Sequence, residues 1–107
     1  MGHLTRDYKE FLMEQLKDSS EAVSYLNVAL EDKENPEVFL MALRDVAAAH
    51  GMRETSKKAG LNREGFYQML SKRGNPTLVS LFSILNVLGL VVRLDLKKGK
   101  KVLKRAA

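Results

Sequence analysis

Five side chains between positions 62 and 68 are of the types that read the edges of DNA bases. Arginine can donate two hydrogen bonds to guanine O6 and N7, glutamine suits adenine, and glutamate can accept a hydrogen bond from cytosine N4. Tyrosine can contact a thymine methyl group or a phosphate. On a helix that begins near position 63 these side chains occupy the outward positions, and they predict a base-reading set of Asn62, Arg63, Glu64, Tyr67 and Gln68.

A base-reading helix has to be held against a second helix by a tight turn. Residues 53–59 and 63–71 are predicted to be short helices, and residues 60–62 the turn between them. Gly60 can adopt the left-handed conformation that ends a helix, and Asn62 can cap the next helix. The small and apolar positions that pack the two helices together are Ser56, Leu61, Phe66 and Met69. This pattern predicts a helix-turn-helix, although a corner of an ordinary helical bundle has similar spacing and stays open as an alternative.

Two residues depart from this pattern. Gly65 lies inside the predicted reading helix, where glycine costs about 1 kcal/mol relative to alanine. It either permits a close approach to the groove or only weakens the helix. Thr55 stands where such motifs usually carry a large apolar residue.

Basic and polar side chains flank the predicted reading helix on both sides. Residues 1–50 carry five basic and ten acidic side chains, whereas residues 51–107 carry thirteen basic and three acidic ones. This sorting indicates that the second half meets a polyanion, because lysines that only improve solubility would not need to be segregated. The predicted phosphate contacts are Arg53, Lys57, Lys72, Arg73, Asn75 and Thr77.

The rest of the chain is predicted to form helices that support the helix-turn-helix. Apolar residues at helical spacing predict helices over residues 6–16, 19–31, 36–50 and 78–88. Their expected N-caps are Asp18 or Ser19, then Asn35 and Thr77. The expected core face of the last helix is Leu78, Leu81, Phe82, Leu85 and Leu88. The expected fold is therefore all-α, a repressor-like helix-turn-helix domain of five to six helices.

The segment after the last helix alternates apolar and polar residues, which predicts one strand over residues 90–97. A lone strand is not stable, so it would have to pair with a second copy, with the N-terminal segment or with another protein. A two-fold homodimer is the favoured choice, through a strand face made of Val92, Leu94 and Leu96. The expected organisation is an acidic helical segment, the helix-turn-helix domain, the dimerisation strand and a basic tail, at residues 1–34, 35–89, 90–97 and 98–107.

Composition argues against several classes of protein. The chain has no cysteine, which excludes disulfides, thiol nucleophiles and cysteine zinc sites. No apolar run is long enough to span a membrane, and the N-terminus lacks a signal-peptide pattern. His50, with Asp45 and Glu54 nearby, is better explained as a surface or capping histidine than as a catalytic base. We therefore expect no enzymatic activity, no cofactor and no metal, and a cytoplasmic, nucleoid-associated protein.

Two long stretches resemble a known family. YLNVALEDKENPEVFLMALRDVAAAHGM and AGLNREGFYQMLSKRGNPTLVSLFSILNVLGL resemble the addiction-module antidotes, HigA-like bacterial antitoxins with a phage-repressor-like helix-turn-helix. The likeness covers roughly residues 25–96 and is most specific at positions 25–27, 39–45 and 74–77. It implies that the neighbouring gene encodes a RelE/ParE-like toxin, usually basic, which the antitoxin neutralises, and that the antitoxin represses the shared operon as a dimer. The resemblance implies the same groove-facing set as the spacing does.

The sequence thus predicts a DNA-binding antitoxin of a type II toxin–antitoxin module. It would bind double-stranded DNA at its own operator and capture a RelE/ParE-like toxin, as a homodimer with no membrane partner. The acidic first half could offer a surface to a basic toxin, or could simply be a solvated face. Two alternatives remain: a phage-type repressor with no toxin partner, and a protein-interaction module that binds no DNA.

Overall fold

The computed structural model describes residues 6–97, and all of the regular secondary structure in that range is helical. Every helix predicted from the sequence is present, with ends shifted by one or two residues. The helices are α1 (Arg6–Gln15), α2 (Ser19–Leu30), α3 (Glu37–His50), α4 (Met52–Lys58), α5 (Arg63–Met69) and α6 (Leu78–Val87).

The predicted C-terminal strand is wrong for residues 90–97, which form neither helix nor strand. The alternating pattern is present in the sequence, but no described segment supplies the backbone partner that a strand requires. The proposed strand face is also not packed: Val92 and Leu96 are more than half exposed, and Leu94 is 94% exposed. The predicted basic tail, residues 98–107, lies outside the described residues.

The start of α2 confirms one of the two caps offered by the sequence. Asp18 adopts an extended backbone, and its carboxylate accepts a hydrogen bond of 2.8 Å from the backbone N–H of Ser20. Glu21 does not complete a capping box, because its carboxylate instead accepts a hydrogen bond of 2.9 Å from the Gln15 amide. That bond links the end of α1 to the first turn of α2.

The predicted cap of α3 is wrong. The helix begins at Glu37, directly after Pro36, and no side chain caps it. The Asn35 amide donates to the Asp32 carboxylate instead, at 3.0 and 3.3 Å. These bonds use the amide N–H₂ group, whereas a cap would use the side-chain oxygen as an acceptor. They hold the Asn35 side chain to the acidic loop, and the start of the helix has no side-chain cap.

One apolar cluster holds the helices together. α3 lies at its centre, since its small side chains let neighbouring helices approach closely, and four of its residues are buried. The buried residues of the cluster are Leu12, Leu16, Ala22, Leu26, Ala29, Ala42, Leu43, Val46, Ala47, Phe66, Leu70, Ile84, Leu85 and Leu88. The first half of the chain therefore contributes directly to the core on which α5 is seated.

The predicted core face of α6 is only partly correct. Leu85 and Leu88 are buried as expected, but Ile84 is buried in addition, and Leu78 and Phe82 are substantially exposed. Seven of the ten residues of α6 are apolar, and they lie around most of the helix, so periodicity did not identify the side that faces the core. Phe82 is therefore a surface residue, whereas Phe66 is fully buried as predicted.

A half-buried hydrogen bond joins α2 to α3. The Tyr25 hydroxyl donates to the Asp45 carboxylate at 2.6 Å, the short distance typical of a charge-assisted bond. Burial raises the pKa of Tyr25 well above its ordinary value, and the adjacent Asp45 charge raises it further. Asp45 is thus engaged with Tyr25, and Glu54 pairs with Lys58 at 3.2 Å, so both carboxylates near His50 in the sequence have other partners in the structure.

Candidate nucleic-acid interface

The turn between α4 and α5 is built by a paired set of backbone hydrogen bonds. Gly60 has a φ of 75°, in the left-handed region that favours glycine. Its N–H donates to the Lys57 carbonyl at 3.1 Å, and the Leu61 N–H donates to the Ser56 carbonyl at 3.0 Å. These two bonds form a Schellman motif, which satisfies the end of one helix while turning the chain sharply. The predicted turn is confirmed.

The first helix of the pair, α4, is anchored by two small polar residues. Thr55 and Ser56 are both 3% exposed, and the Ser56 hydroxyl donates back to the Arg53 carbonyl at 3.0 Å. Thr55 stands where such motifs usually carry a large apolar residue, and it is nonetheless buried. α4 lies between α3 and α5 in the chain and packs against both as well as against α6.

The beginning of α5 depends on a close fit between two residues. Asn62 is the N-cap, with an extended backbone, and its Oδ1 accepts a hydrogen bond of 2.6 Å from the Gly65 N–H. A methyl group added at Gly65 would lie 3.1 Å from the same Oδ1. Glycine at this position thus leaves room for the cap, a role that sequence reasoning did not assign to it.

The predicted base-reading residues fall on one side of α5, away from the core. Phe66 and Leu70 are fully buried and seat the helix. Four of the five predicted readers are exposed and one, Tyr67, is half-buried; the exposed ones are Asn62, Arg63, Glu64 and Gln68. The oxygen of the Asn62 side chain is already occupied by the helix cap, which leaves its N–H₂ group for other contacts.

Tyr67 is covered by a residue that sequence reasoning missed. The guanidinium carbon of Arg44, on α3, lies 5.2 Å from the centre of the Tyr67 ring, within cation–π range. One Arg44 nitrogen also lies 3.5 Å from the Leu70 carbonyl at the end of α5, a weak hydrogen bond at most. Arg44 on α3 therefore braces α5. No sequence signal separates it from other polar residues of α3, because the contact spans 23 residues.

All six predicted phosphate contacts are exposed. The cations among them are Arg53, Lys57, Lys72 and Arg73, and the neutral ones are Asn75 and Thr77. The ion pairs within residues 6–97 are Lys17–Glu14 and Lys58–Glu54, so none of the four cations is neutralised by an acidic side chain of this part of the protein. Thr77 has a second role, since its hydroxyl oxygen accepts from the Ser80 N–H at 3.1 Å and caps α6.

The basic loop after α5 is pressed against the end of that helix. The Gly74 N–H donates to the Ser71 carbonyl at 2.9 Å, and a side chain at Gly74 would overlap the backbone carbonyl of Met69. Glycine is required here for space. The close approach fixes Lys72 and Arg73 beside the C-terminal end of α5.

Two other kinds of feature are absent from the described residues, a group of metal ligands and a membrane-spanning helix. No group of three or more histidine, cysteine, aspartate or glutamate side chains within residues 6–97 could hold a metal ion. None of the helices in this range is long and apolar enough to cross a membrane.

The fold and this surface define a small all-helical protein with two short helices joined by a tight turn and bordered by exposed cations. The chain matches the model of a family described as "Probable addiction module antidote protein" over residues 7–96. It is also 38% identical over 88 residues to an uncharacterised protein of Haemophilus influenzae Rd, covering 81% of this chain and 90% of that protein. No solved structure matches it. The chain therefore belongs to the addiction-module antidote family. This is not a family of enzymes, and the word antidote in its description implies a toxin partner of some kind.

Proposed function

We propose that this protein is a DNA-binding antitoxin of a type II toxin–antitoxin module. It binds its own operator as a dimer in the cytoplasm, with α4 and α5 acting as a helix-turn-helix, and it neutralises a RelE/ParE-like toxin. The observation that carries the DNA proposal is the surface of α5. Arg63, Glu64 and Gln68 are exposed between cations that no described acid neutralises.

This surface has the two parts that specific DNA binding requires. Exposed cations on α4 and on the loop after α5 suit phosphates, which set position and supply a salt-dependent affinity. The side chains between them suit base edges in the major groove, which supply sequence preference. A simple corner of a helical bundle would also have a polar outward face, but it would not need unpaired cations on both sides of that face.

The test of DNA reading is fluorescence anisotropy with the duplex upstream of its own gene and with a scrambled duplex, at several salt concentrations. Arg63→Ala is expected to cost about 1–3 kcal/mol and to relax preference at one base position. Arg6→Ala, which removes the same charge from exposed α1, is the matched control and should leave preference unchanged. Equal affinity of the wild-type protein for both duplexes would refute sequence-specific binding.

A second variant separates phosphate contacts from base contacts. Each phosphate contact contributes about 0.9 to the slope of log affinity against log salt. Lys72→Ala should therefore lower the slope by about 0.9 per subunit and leave the ratio between the two duplexes intact. If the ratio of the affinities for the two duplexes changes while the salt slope does not, Lys72 is not a phosphate contact.

Toxin capture is assigned to the acidic first half. The exposed loop between α2 and α3 carries Glu31, Asp32 and Glu34, and complementary charge would speed the encounter with a basic partner. Deleting residues 1–34 is a poor test, because Leu12, Leu16 and Leu26 belong to the core. Reversal of the three loop acids to lysine is the sharper one.

Neutralisation is measured as growth rescue when the full chain is co-expressed with the product of the adjacent gene. The triple reversal is expected to impair rescue, and Asp95→Lys, an exposed reversal in the second half, is the control. If the triple variant rescues growth as well as the wild-type protein does, the loop is not part of the surface that binds the toxin. Absence of toxicity from any adjacent product would favour a repressor with no toxin partner.

A further inference from the structure

A groove of about 610 Å³ lies between α2 and the residues that follow α6. Leu26 and Leu85, which belong to the core, are each 5% exposed and form its floor. Val23 and Leu30 of α2 lie along one side, and Val92 lies on the other. These three side chains are 42%, 50% and 56% exposed, so the apolar surface continues from the core into the open groove.

One uncharged face of α2 is turned to this groove. Val23, Asn27 and Leu30 are spaced by four and three residues, so they share one face of the helix, and all three line the groove. Ala22 and Ala29 of the same helix are buried in the core. Helix α2 is therefore apolar beyond the stripe that the core uses, and the Asn27 amide is the polar group that this face offers.

The opposite side of the groove offers backbone groups. Residues 91–95 form neither helix nor strand, and no backbone hydrogen bond joins them to another described residue. Backbone N–H and C=O groups that become buried need hydrogen-bond partners. A molecule that covers this side therefore has to supply such partners, which a protein segment can do and a purely apolar small molecule cannot.

One end of the groove is acidic. Helix α2 ends in the exposed loop that carries Glu31, Asp32 and Glu34 against a single lysine, and neither ion pair found within residues 6–97 uses these acids. The carboxyl end of α2 adds the negative end of its dipole, and the last turn has no basic residue to offset it. Arg93 and Asp95 also line the groove, but their charges are opposite. The charge offered to a partner is therefore negative.

We propose that this groove receives an apolar segment of a basic protein partner, whose cations meet the acids of the α2–α3 loop. The partner is the toxin, and this identification rests on the proposed toxin capture. The loop charges speed the encounter, whereas apolar anchors buried in the groove hold the complex together. Long-range charge acts mainly on the association rate, and close packing acts mainly on the dissociation rate. The groove is thus the part of the toxin surface that determines how long the complex lasts.

The experiment measures the binding kinetics of the full chain with the purified product of the adjacent gene by surface plasmon resonance. Val23→Asn and Val92→Asn place an uncharged amide on either side of the groove. Each is expected to raise the dissociation rate constant roughly 10-fold and to leave association nearly unchanged, because a buried apolar anchor is lost. Val28→Asn is the matched control, because this valine of α2 is 65% exposed and does not line the groove. Far-UV circular dichroism checks that each variant is folded.

The loop charges have a separate readout. Reversal of Glu31, Asp32 and Glu34 to lysine should lower the association rate constant and its salt dependence, with a smaller effect on dissociation. An adjacent product that binds through the groove but is not toxic would refute the antitoxin proposal and leave the groove proposal standing. A toxin that both groove variants bind and neutralise as the wild-type protein does would have the reverse meaning.

Several results would overturn the groove proposal. These are unchanged dissociation in both groove variants, equally fast dissociation of Val28→Asn, or no binding of the adjacent product to the wild-type protein. Sedimentation equilibrium of the same variants without the partner tests a different occupant. Loss of a wild-type dimer in both groove variants would show that a second copy of this chain occupies the groove, and would also overturn the proposal.

Discussion

Replacement of Gly65 by alanine tests how α5 begins. In an exposed helix this change normally stabilises by about 1 kcal/mol, because alanine restricts the unfolded chain more than glycine does. Here the added methyl group would lie 3.1 Å from the Asn62 Oδ1, which is itself 2.6 Å from the Gly65 N–H. The methyl group and the cap therefore compete for one space.

The magnitudes of the two effects are similar. Loss of an asparagine N-cap costs about 1 kcal/mol, within a range of roughly 0.5–2 kcal/mol. Gly65→Ala in the wild-type chain is expected to change the free energy of unfolding by close to zero, because the gain in helix propensity is offset by a displaced cap. Asn62→Ala alone should cost about 1 kcal/mol. In the Asn62→Ala background the obstacle is gone, so Gly65→Ala should stabilise by the full amount of about 1 kcal/mol.

The assay is urea denaturation of the wild-type, two single variants and the double variant, followed by far-UV circular dichroism at one protein concentration. The expected coupling energy is about 1 kcal/mol. Thr77→Ala, which removes the cap of α6, is the control, since its effect should simply add to that of Gly65→Ala. If Gly65→Ala stabilises equally with and without Asn62, the cap and the methyl group do not compete and the reasoning is refuted.

Three further substitutions test other contacts of the fold. Gly74→Ala should cost about 1–3 kcal/mol, because its methyl group would overlap a backbone carbonyl of α5; an unchanged midpoint of thermal unfolding would contradict this. Tyr25→Phe should cost about 1 kcal/mol at neutral pH. Since folding raises the pKa of this tyrosine, its contribution is complete below its unfolded pKa of about 10 and is lost as pH rises above that value. The difference in unfolding free energy between wild-type and variant should therefore shrink above pH 10, and a constant difference would argue against the bond to Asp45. Arg44→Met should lower the free energy of unfolding by about 0.5–2 kcal/mol through the lost contact with Tyr67. A urea midpoint equal to that of the wild-type protein would show that the contact does not stabilise α5.

The parts of the fold that local chemistry decides were predictable from the sequence. Asp18, Asn62 and Thr77 were each expected to cap a helix, and each accepts a backbone hydrogen bond in its cap. Gly60 was expected to end α4, and its φ of 75° agrees. The exception is Asn35, whose amide N–H₂ group donates to Asp32, three residues away, and whose side chain makes no cap hydrogen bond. A cap prediction fails when another local hydrogen bond holds the side chain.

The parts that depend on distant contacts were not predictable in the same way. Periodicity did not orient α6 correctly, because seven of its ten residues are apolar. Phe82, which is expected in the core, is about half exposed. The alternation at residues 90–97 is a local pattern, whereas a strand requires a partner elsewhere. The contact of Arg44 with Tyr67 joins two helices that no sequence spacing relates.

One local and one distant contact also divide the predicted base-reading set by how free each side chain is. Asn62 is engaged by its own helix cap, and Tyr67 is engaged by Arg44. Arg63, Glu64 and Gln68 are exposed, with no ion pair recorded for Arg63 or Glu64 in the described part of the chain. A side chain that must first break an internal contact gains less by binding a base, because the cost of that contact is subtracted from the new one. On the DNA-binding proposal, sequence preference should therefore depend most on the three exposed residues. Asn62 and Tyr67 should act mainly by holding α5 in place, so alanine at either position should lower affinity for the operator and the scrambled duplex alike.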